Sequence, residues 1–426
     1  MDAYKKGATF AVSEKVIKMA TQLLIITFLA RSLGPNDFGN LMLCYALVSI
    51  YSFLNNLGLE TLIVKYLVTN KDDESSILTH ALFLRGAFGM LCLLLVNITG
   101  IFLIEDQSLL LLFIISLLHI FMPFTVYSAF FQVDGRSDLS AIGLMTGNLV
   151  GALYVIFCMV LDLSVYYIAA FYFIDSIFVA LTYIFLAKRR KLFLNLTLRF
   201  TKLSGMLKDC LPLLLSGGIT LLYMKVDQVM LGYLSGTSEV GTYVVATRLS
   251  EAWYFVGLTL IGVYYPKILA MREKYGIKTY NSIIIDYGRV LIWLSFLLAL
   301  MTTFLSPFII QVLYGESYAE ASSVLAITIW AVPFVYLGSI STKMYVAESM
   351  QSALIWRSSF GLAVNIALNL VLIPKYGAFG AGISTLFAQI CIGVIFNFVR
   401  ILPDLKFVQI QILTSIKRVN HFNRDL

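Results

Sequence analysis

Eleven ionisable side chains stand inside apolar stretches of this sequence, and their spacing separates those that can neutralise one another from those that cannot: Glu14, Lys15, Lys18, Arg85, Asp175, Lys225, Asp227, Arg248, Glu251, Asp286 and Arg289. Glu14 and Lys18 are four apart, Arg248 and Glu251 three apart, and Asp286 and Arg289 three apart, spacings that bring two side chains onto one helix face. Lys225 and Asp227, in "LLYMKVDQVMLGYL", are two apart and point about 200° away from each other on a helix. Tyr223 stands one turn before Asp227 and can offer it a hydroxyl, whereas Lys225, Arg85 and Asp175 have no opposite charge within a turn. A charge at the centre of a bilayer costs roughly 2.5–3.5 kcal/mol on insertion scales, so several in one chain imply a wet lumen or specific partners. The chemistry open to such groups is transport of a polar or charged solute. The plainer account is that they cross-link helices.

The elements that would carry these residues are membrane helices. Of 426 residues 59% are hydrophobic and only 13% charged, with a mean hydropathy of +0.87, against roughly 45–50% apolar and 25% charged in a soluble domain. About twelve apolar runs of bilayer-spanning length recur between short polar breaks, and the absence of period-two alternation within them excludes a membrane β-barrel. With the N-terminus inside, the inside segments hold Lys5, Lys6, Lys65, Lys71, Arg136, the seven basic residues from Lys188 to Lys208, Lys267, Arg272, Lys274, Lys278, Lys343, Arg357 and five in the tail from Arg400 onward, while the outside breaks hold only Arg31 and Lys375. This positive-inside pattern predicts both termini in the cytoplasm. The net charge of +7 is then topology and contact with anionic headgroups, and no basic patch on a soluble domain points to nucleic acid.

Other features read as structural. "TQLLIITFLA" imitates a signal-peptide core, but Glu14, Lys15 and Lys18 precede it and no small-residue cleavage site follows, so an uncleaved first helix is expected. Cys44, Cys92, Cys158, Cys210 and Cys391 have no ligand spacing and read as small packing residues; His80, His119 and His421 lack metal-ligand spacing, and no cofactor is expected. "GLMTGNLVG", Gly143 to Gly151, reads as a close internal helix contact rather than a dimer face, and "KDDE" as a solvated turn. The outside breaks are too short for the catalytic loop of a polymerase or glycosyltransferase, so the chain is not read as an enzyme.

The chain also repeats itself. "LGPNDFGNL" after the first run and "SGTSEVGTY" after the seventh place Gly34, Asp37 and Gly39 against Gly236, Glu239 and Gly241. The basic linker falls between the sixth and seventh runs, where two parallel halves would join. The expected organisation is an N-terminal six-helix bundle over 1–187, a cytoplasmic linker over 188–205 containing an extended strap at "LFLNLTLRF", a C-terminal six-helix bundle over 206–400 and a cytoplasmic tail over 401–426.

"ARSLGPNDFGNL", "LYMKVDQVMLG", "VGTYVVATRLSEAW" and "NIALNLVLIPKYGAFGAGIST" together resemble the polysaccharide-biosynthesis flippases, the Wzx-type O-antigen exporters of the multidrug/oligosaccharidyl-lipid/polysaccharide superfamily. The resemblance implies an all-α polytopic membrane protein, MATE-like, with two six-helix bundles around a cavity. It implies alternating access that carries an undecaprenyl-diphosphate-linked oligosaccharide from the inner to the outer leaflet of the bacterial inner membrane, for O-antigen of lipopolysaccharide or another surface polysaccharide. Partners implied are that lipid-linked substrate, membrane lipids, H+ or Na+, and a polysaccharide polymerase and chain-length regulator. The family motifs fall on Arg31, Gly34, Pro35 and Gly39, on Tyr223 and Asp227, and on Asn365, Asn369, Pro374 and Gly377. In one respect the sequence departs from the family: a net cationic lumen is expected of it, and the embedded charges here are nearly balanced. On this reading Lys15, Lys18, Arg85, Lys225 and Arg248 are the cations that meet the diphosphate or acidic sugars. Asp227, with Glu14, Glu251 and Asp175, is the candidate switch, because a carboxylate moved between dry and wet surroundings changes its hold on a proton. A drug or small-molecule exporter of the same superfamily shares the architecture but favours acidic and aromatic cavity residues.

Overall fold

Runs this apolar and this long leave the backbone one way to satisfy its N–H and C=O groups inside lipid, the helix. The computed structural model describes residues 2–69, 73–190, 198–399 and 403–414, and among these all regular structure is helical. The side chains of Glu14, Lys15 and Lys18, and most of the strap "LFLNLTLRF", lie outside the described residues.

In chain order the helices are α1 (Asp2–Asn56), α2 (Leu59–Thr69), α3 (Glu74–Leu103), α4 (Asp106–Ser116), α5 (Leu118–Phe121), α6 (Val126–Val133), α7 (Ser137–Val160), α8 (Val165–Arg189), α9 (Phe200–Ser235), α10 (Thr237–Tyr314), α11 (Ala321–Thr328), α12 (Ala331–Ala347), α13 (Gln351–Ile390), α14 (Phe396–Val399) and α15 (Pro403–Thr414). Nine helical stretches among the described residues are long and apolar enough to cross a bilayer. Two of them, Met19–Asn56 and Ser352–Phe398, turn at Gly34 and Gly377. Counting each as two passes and adding α9, the seventh run, gives twelve. Several expected loops shrink to a single glycine: the breaks near 31–38, 266–282 and 374–379 are helix throughout except at Gly34, Gly276 and Gly377. The outward faces are lipid-facing in character, with Phe102, Val160 and Phe304 more than three-quarters exposed.

The chain forms two compact units, Met1–Val229 and Met230–Leu426, whose boundary falls inside α9. In unit 1 the core is built by Leu62, Ile63, Leu78, Phe131 and Tyr183, and the first turns of α9 add Met206, Cys210 and Leu214 to it. The glycine stripe of α7 lets α8 approach closely. A Cβ on Gly143 would stand 2.1 Å from the Tyr183 ring, and one on Gly151 would stand 2.6 Å from the Phe171 ring, so "GLMTGNLVG" is an internal contact, as its sequence suggests. All five cysteines are buried.

In unit 2, Ile284, Ile292, Tyr336 and Leu337 pack with Leu405, Val408 and Ile412 of α15, so part of the tail is a docked helix. A π-turn at Cys391–Ile395 interrupts the last long helix. The Gly393 carbonyl within it accepts from Asn397 Nδ2 at 2.9 Å and from Gln409 Nε2 of α15 at 2.8 Å. A π-turn displaces carbonyls from the helical ladder, and side-chain amides here supply the donors.

Candidate functional site

The repeated motif has the same backbone at both of its occurrences. Gly34 has φ 73°, ψ 173° and Gly236 has φ 94°, ψ 169°, a region open essentially to glycine alone. The acidic residue of the second copy, Glu239, accepts the Ala378 N–H at 2.6 Å, at the start of the arm beyond Gly377. A helix's first N–H groups lack internal partners, and a carboxylate there also meets the positive end of the helix dipole. A Cβ on Gly377, whose φ is +52°, would sit 2.4 Å from Glu239 Oε2, so the motif glycine makes room for the cap. Ser235 Oγ donates to Ile373 O at 3.2 Å beside it. Asn365 and Asn369 are buried and bonded to each other, Asn369 Nδ2 donating to Asn365 Oδ1 at 3.1 Å. Arg31 is exposed and Gly39 buried.

Among the candidate cations, Arg85 of α3 is buried and its Nε donates to Asn55 O at 3.2 Å. That carbonyl belongs to the last turn of α1, where helix acceptors are left open. Asn55 Nδ2 in turn donates to His119 O at 3.0 Å. Arg85 therefore ties the end of α1 to α3. Lys225 of α9 is only 9% exposed, and its ammonium lies over the Tyr45 ring at 6.0 Å from the centroid. Tyr45 stacks on Tyr172 of α8, centroids 4.3 Å apart and planes within 18°. Asp175 lies one turn along α8 from Tyr172, on the same face, and its carboxylate rests against α7 where Gly147 lacks a side chain: a Cβ there would be 3.0 Å from Asp175 Oδ1. Unit 1 thus places a cation from α9 over two stacked phenols from α1 and α8. A cation over a desolvated aromatic face gains about 2 kcal/mol or more. Asp227 is buried in the same helix, 5% exposed.

The pairs expected from spacing form in unit 2. Arg248 Nη1 meets Glu251 Oε2 at 3.1 Å, and Arg289 Nη1 meets Asp286 Oδ1 at 3.5 Å. The contacts of three residues were not visible in the sequence. Tyr45 and Tyr172 look like ordinary core aromatics until the fold stacks them. Arg357, counted among the inside-segment cations, is buried in α13, with Nη1 donating to Gly338 O at 3.0 Å and Nη2 to Thr342 Oγ1 at 2.6 Å. Its place several residues past the preceding polar break was the available signal.

The family model described as "Polysaccharide biosynthesis protein" matches residues 4–271. No curated relative matches the chain. Among solved structures, it is similar to an inward-facing multidrug resistance MATE family transporter of the MOP superfamily, with a TM-score of 0.75 and 13% identity, covering 93% of this chain and 96% of that one. It is similar to the lipid II flippase MurJ in its inward closed conformation, with a TM-score of 0.70 and 15% identity over 95% of this chain and 91% of that one. A MOP superfamily transporter from Pyrococcus furiosus gives 0.65 and 13% over 96% of both chains. These neighbours are transporters and flippases rather than enzymes, and at such identities they speak to fold.

Proposed function

The chain belongs to the polysaccharide biosynthesis protein family, and from that premise we propose that it flips an undecaprenyl-diphosphate-linked oligosaccharide from the inner to the outer leaflet of a bacterial inner membrane, by alternating access, with both termini cytoplasmic. The observation that carries the reading is Lys225, a cation kept 9% exposed over an aromatic face, where insertion energetics disfavour any charge without a task. A diphosphate offers the Lys225 ammonium a charge-assisted contact, while the glycan stays hydrated and the polyprenyl tail stays in lipid. Arg85 and Arg248, with Lys15 and Lys18, are the further cations of this reading. Asp227, with Glu14, Glu251 and Asp175, supplies the groups through which H+ or Na+ would drive the cycle. The polymerase and chain-length regulator are the partners this role implies.

The test is deletion of the gene followed by analysis of lipid-linked oligosaccharides. Accumulation of one polyprenyl-diphosphate glycan facing the cytoplasm is expected; an unchanged pool with lost resistance to a cationic drug would favour the second reading, an ion-coupled multidrug exporter, to which the likeness to a MATE transporter lends support.

A further inference from the structure

In unit 1, residues of α2, of α9 and of the start of α3 line an open cavity of about 330 Å³, among them Tyr66, Asp73, His80, Lys202, Lys208 and Asp209. Most of these residues adjoin the polar ends of the bundle: Asp73 immediately precedes the span Glu74–Leu103, and Lys202 and Asp209 follow the linker after α8. Ile77 and Met206, both buried, give the cavity an apolar wall.

The hydrogen-bonding capacity of the lining is only partly used. His80 is saturated. Its Nδ1 lies 2.6 Å from Ser76 O, which can only accept, and its Nε2 lies 2.9 Å from the Arg199 N–H, which can only donate. The ring is therefore the neutral Nδ1–H tautomer and offers a ligand nothing. The Lys202 ammonium donates to Asp73 Oδ2 and to Ser76 Oγ at 3.2 Å, which leaves one of its three N–H groups. Asp209 Oδ2 accepts from the Tyr66 hydroxyl, and its Oδ1 takes no hydrogen bond among the described residues. Lys208 enters no ion pair among the described residues.

What remains is a set of ammonium donors beside one open carboxylate oxygen. A simple anion would meet Lys208 and Lys202 but also Asp209 and Asp73. A zwitterion that carries a phosphate and an N–H cation satisfies both signs. We propose that this cavity binds the phosphoethanolamine headgroup of an aminophospholipid, its phosphodiester on Lys208 and Lys202 and its primary ammonium on Asp209 Oδ1. The apolar wall takes the glycerol end, as expected at the headgroup level of a bilayer. A choline headgroup presents no N–H and loses the Asp209 contact.

Gly205 gives the means of testing this. A Cβ there would meet nothing within 4 Å, and Gly205 lines the cavity, so Gly205→Leu adds bulk to its wall from an open position and with better helix propensity. The full-length protein, reconstituted in phosphatidylcholine nanodiscs doped with phosphatidylethanolamine or with phosphatidylglycerol, is examined by native mass spectrometry for retained lipid. The expected result is a preference for phosphatidylethanolamine over phosphatidylcholine of about tenfold, the size of one lost charged contact, abolished by Gly205→Leu and reduced by Asp209→Asn, which keeps an acceptor for Tyr66. Equal retention of phosphatidylcholine, retention of phosphatidylglycerol matching that of phosphatidylethanolamine, or a preference that survives Gly205→Leu would each overturn the proposal. Soluble glycerophosphoethanolamine is the arm that separates a lipid from its free headgroup: binding as tight as the lipid's would overturn the lipid assignment.

Discussion

Replacing Lys225 with alanine removes the ammonium over Tyr45 and leaves the Tyr45–Tyr172 stack in place, so export is expected to fall by roughly tenfold or more, as for a lost charged hydrogen bond. Membrane levels should stay normal, and Lys225→Arg should keep part of the activity; wild-type export by Lys225→Ala would remove this residue from substrate handling. Arg85→Ala differs, because its guanidinium donates to the open Asn55 carbonyl at the end of α1. There the expected outcome is lost export together with reduced protein level, since a buried acceptor is stranded. Asp227 separates mechanism from structure. If its charge changes during the cycle, Asp227→Asn mimics one protonation state, accumulates normally and is trapped in one access state, with cysteines introduced on one side of the unit labelling faster than on the other. If it only anchors a cation, the stranded partner lowers protein level instead.

At the scale of elements, the Glu239 cap predicts a particular energetic pattern. Glu239→Ala should cost about 1 kcal/mol, as other lost N-caps do. Gly377→Ala should cost more, since it adds a side chain at positive φ that collides with Glu239. In the double variant the collision is gone, so its cost should be less than the sum of the two single costs; strict additivity in a chemical-unfolding cycle would deny the contact. A second element is held at its polar end by Lys202, which hydrogen-bonds Asp73 and keeps that carboxyl below the usual carboxylate range. A depressed carboxylate stabilises the fold above its unfolded-state value and loses that contribution as pH falls through its folded one. Docking of the first turn of α9 on α3, followed by hydrogen exchange in 198–205, should therefore weaken in acid, and Asp73→Asn should make exchange there insensitive over the same acid range. The effect is small, because both partners are more than a third exposed.

For the whole molecule, the alternation of breaks predicts that reporter fusions after Asp106, Ser164, Gly236 and Glu316 read outside and fusions after Arg136, Arg199 and Lys274 read inside; an inside signal at Gly236 would break the parallel arrangement of halves. What could be read without coordinates follows from the range of the interactions. Arg248–Glu251 and Asp286–Arg289 were legible because three residues along a helix already fix the distance. Helix number was legible because a bilayer imposes length. Glu239 was half legible: its repeat partner Asp37 marked it, but nothing local says that its carboxylate closes on Ala378. Lys225 on Tyr45, and Tyr45 on Tyr172, were not legible, since the contacts join helices far apart in sequence and aromatic residues carry no mark of their partner. The docking of α15 was hidden for the same reason, its buried Gln409 looking like any polar tail residue.

The backbone at Gly34 and Gly236 has a consequence in terms of handedness. Inverting the sign of both angles gives an extended conformation that any L-residue adopts freely, so each junction is a place where the chain behaves, for one residue, as its own mirror image. Glycine serves there because it is achiral. A D-alanine introduced at either junction by semisynthesis would be the natural occupant, while L-alanine, differing only in configuration, would have to bend the two helix arms out of line.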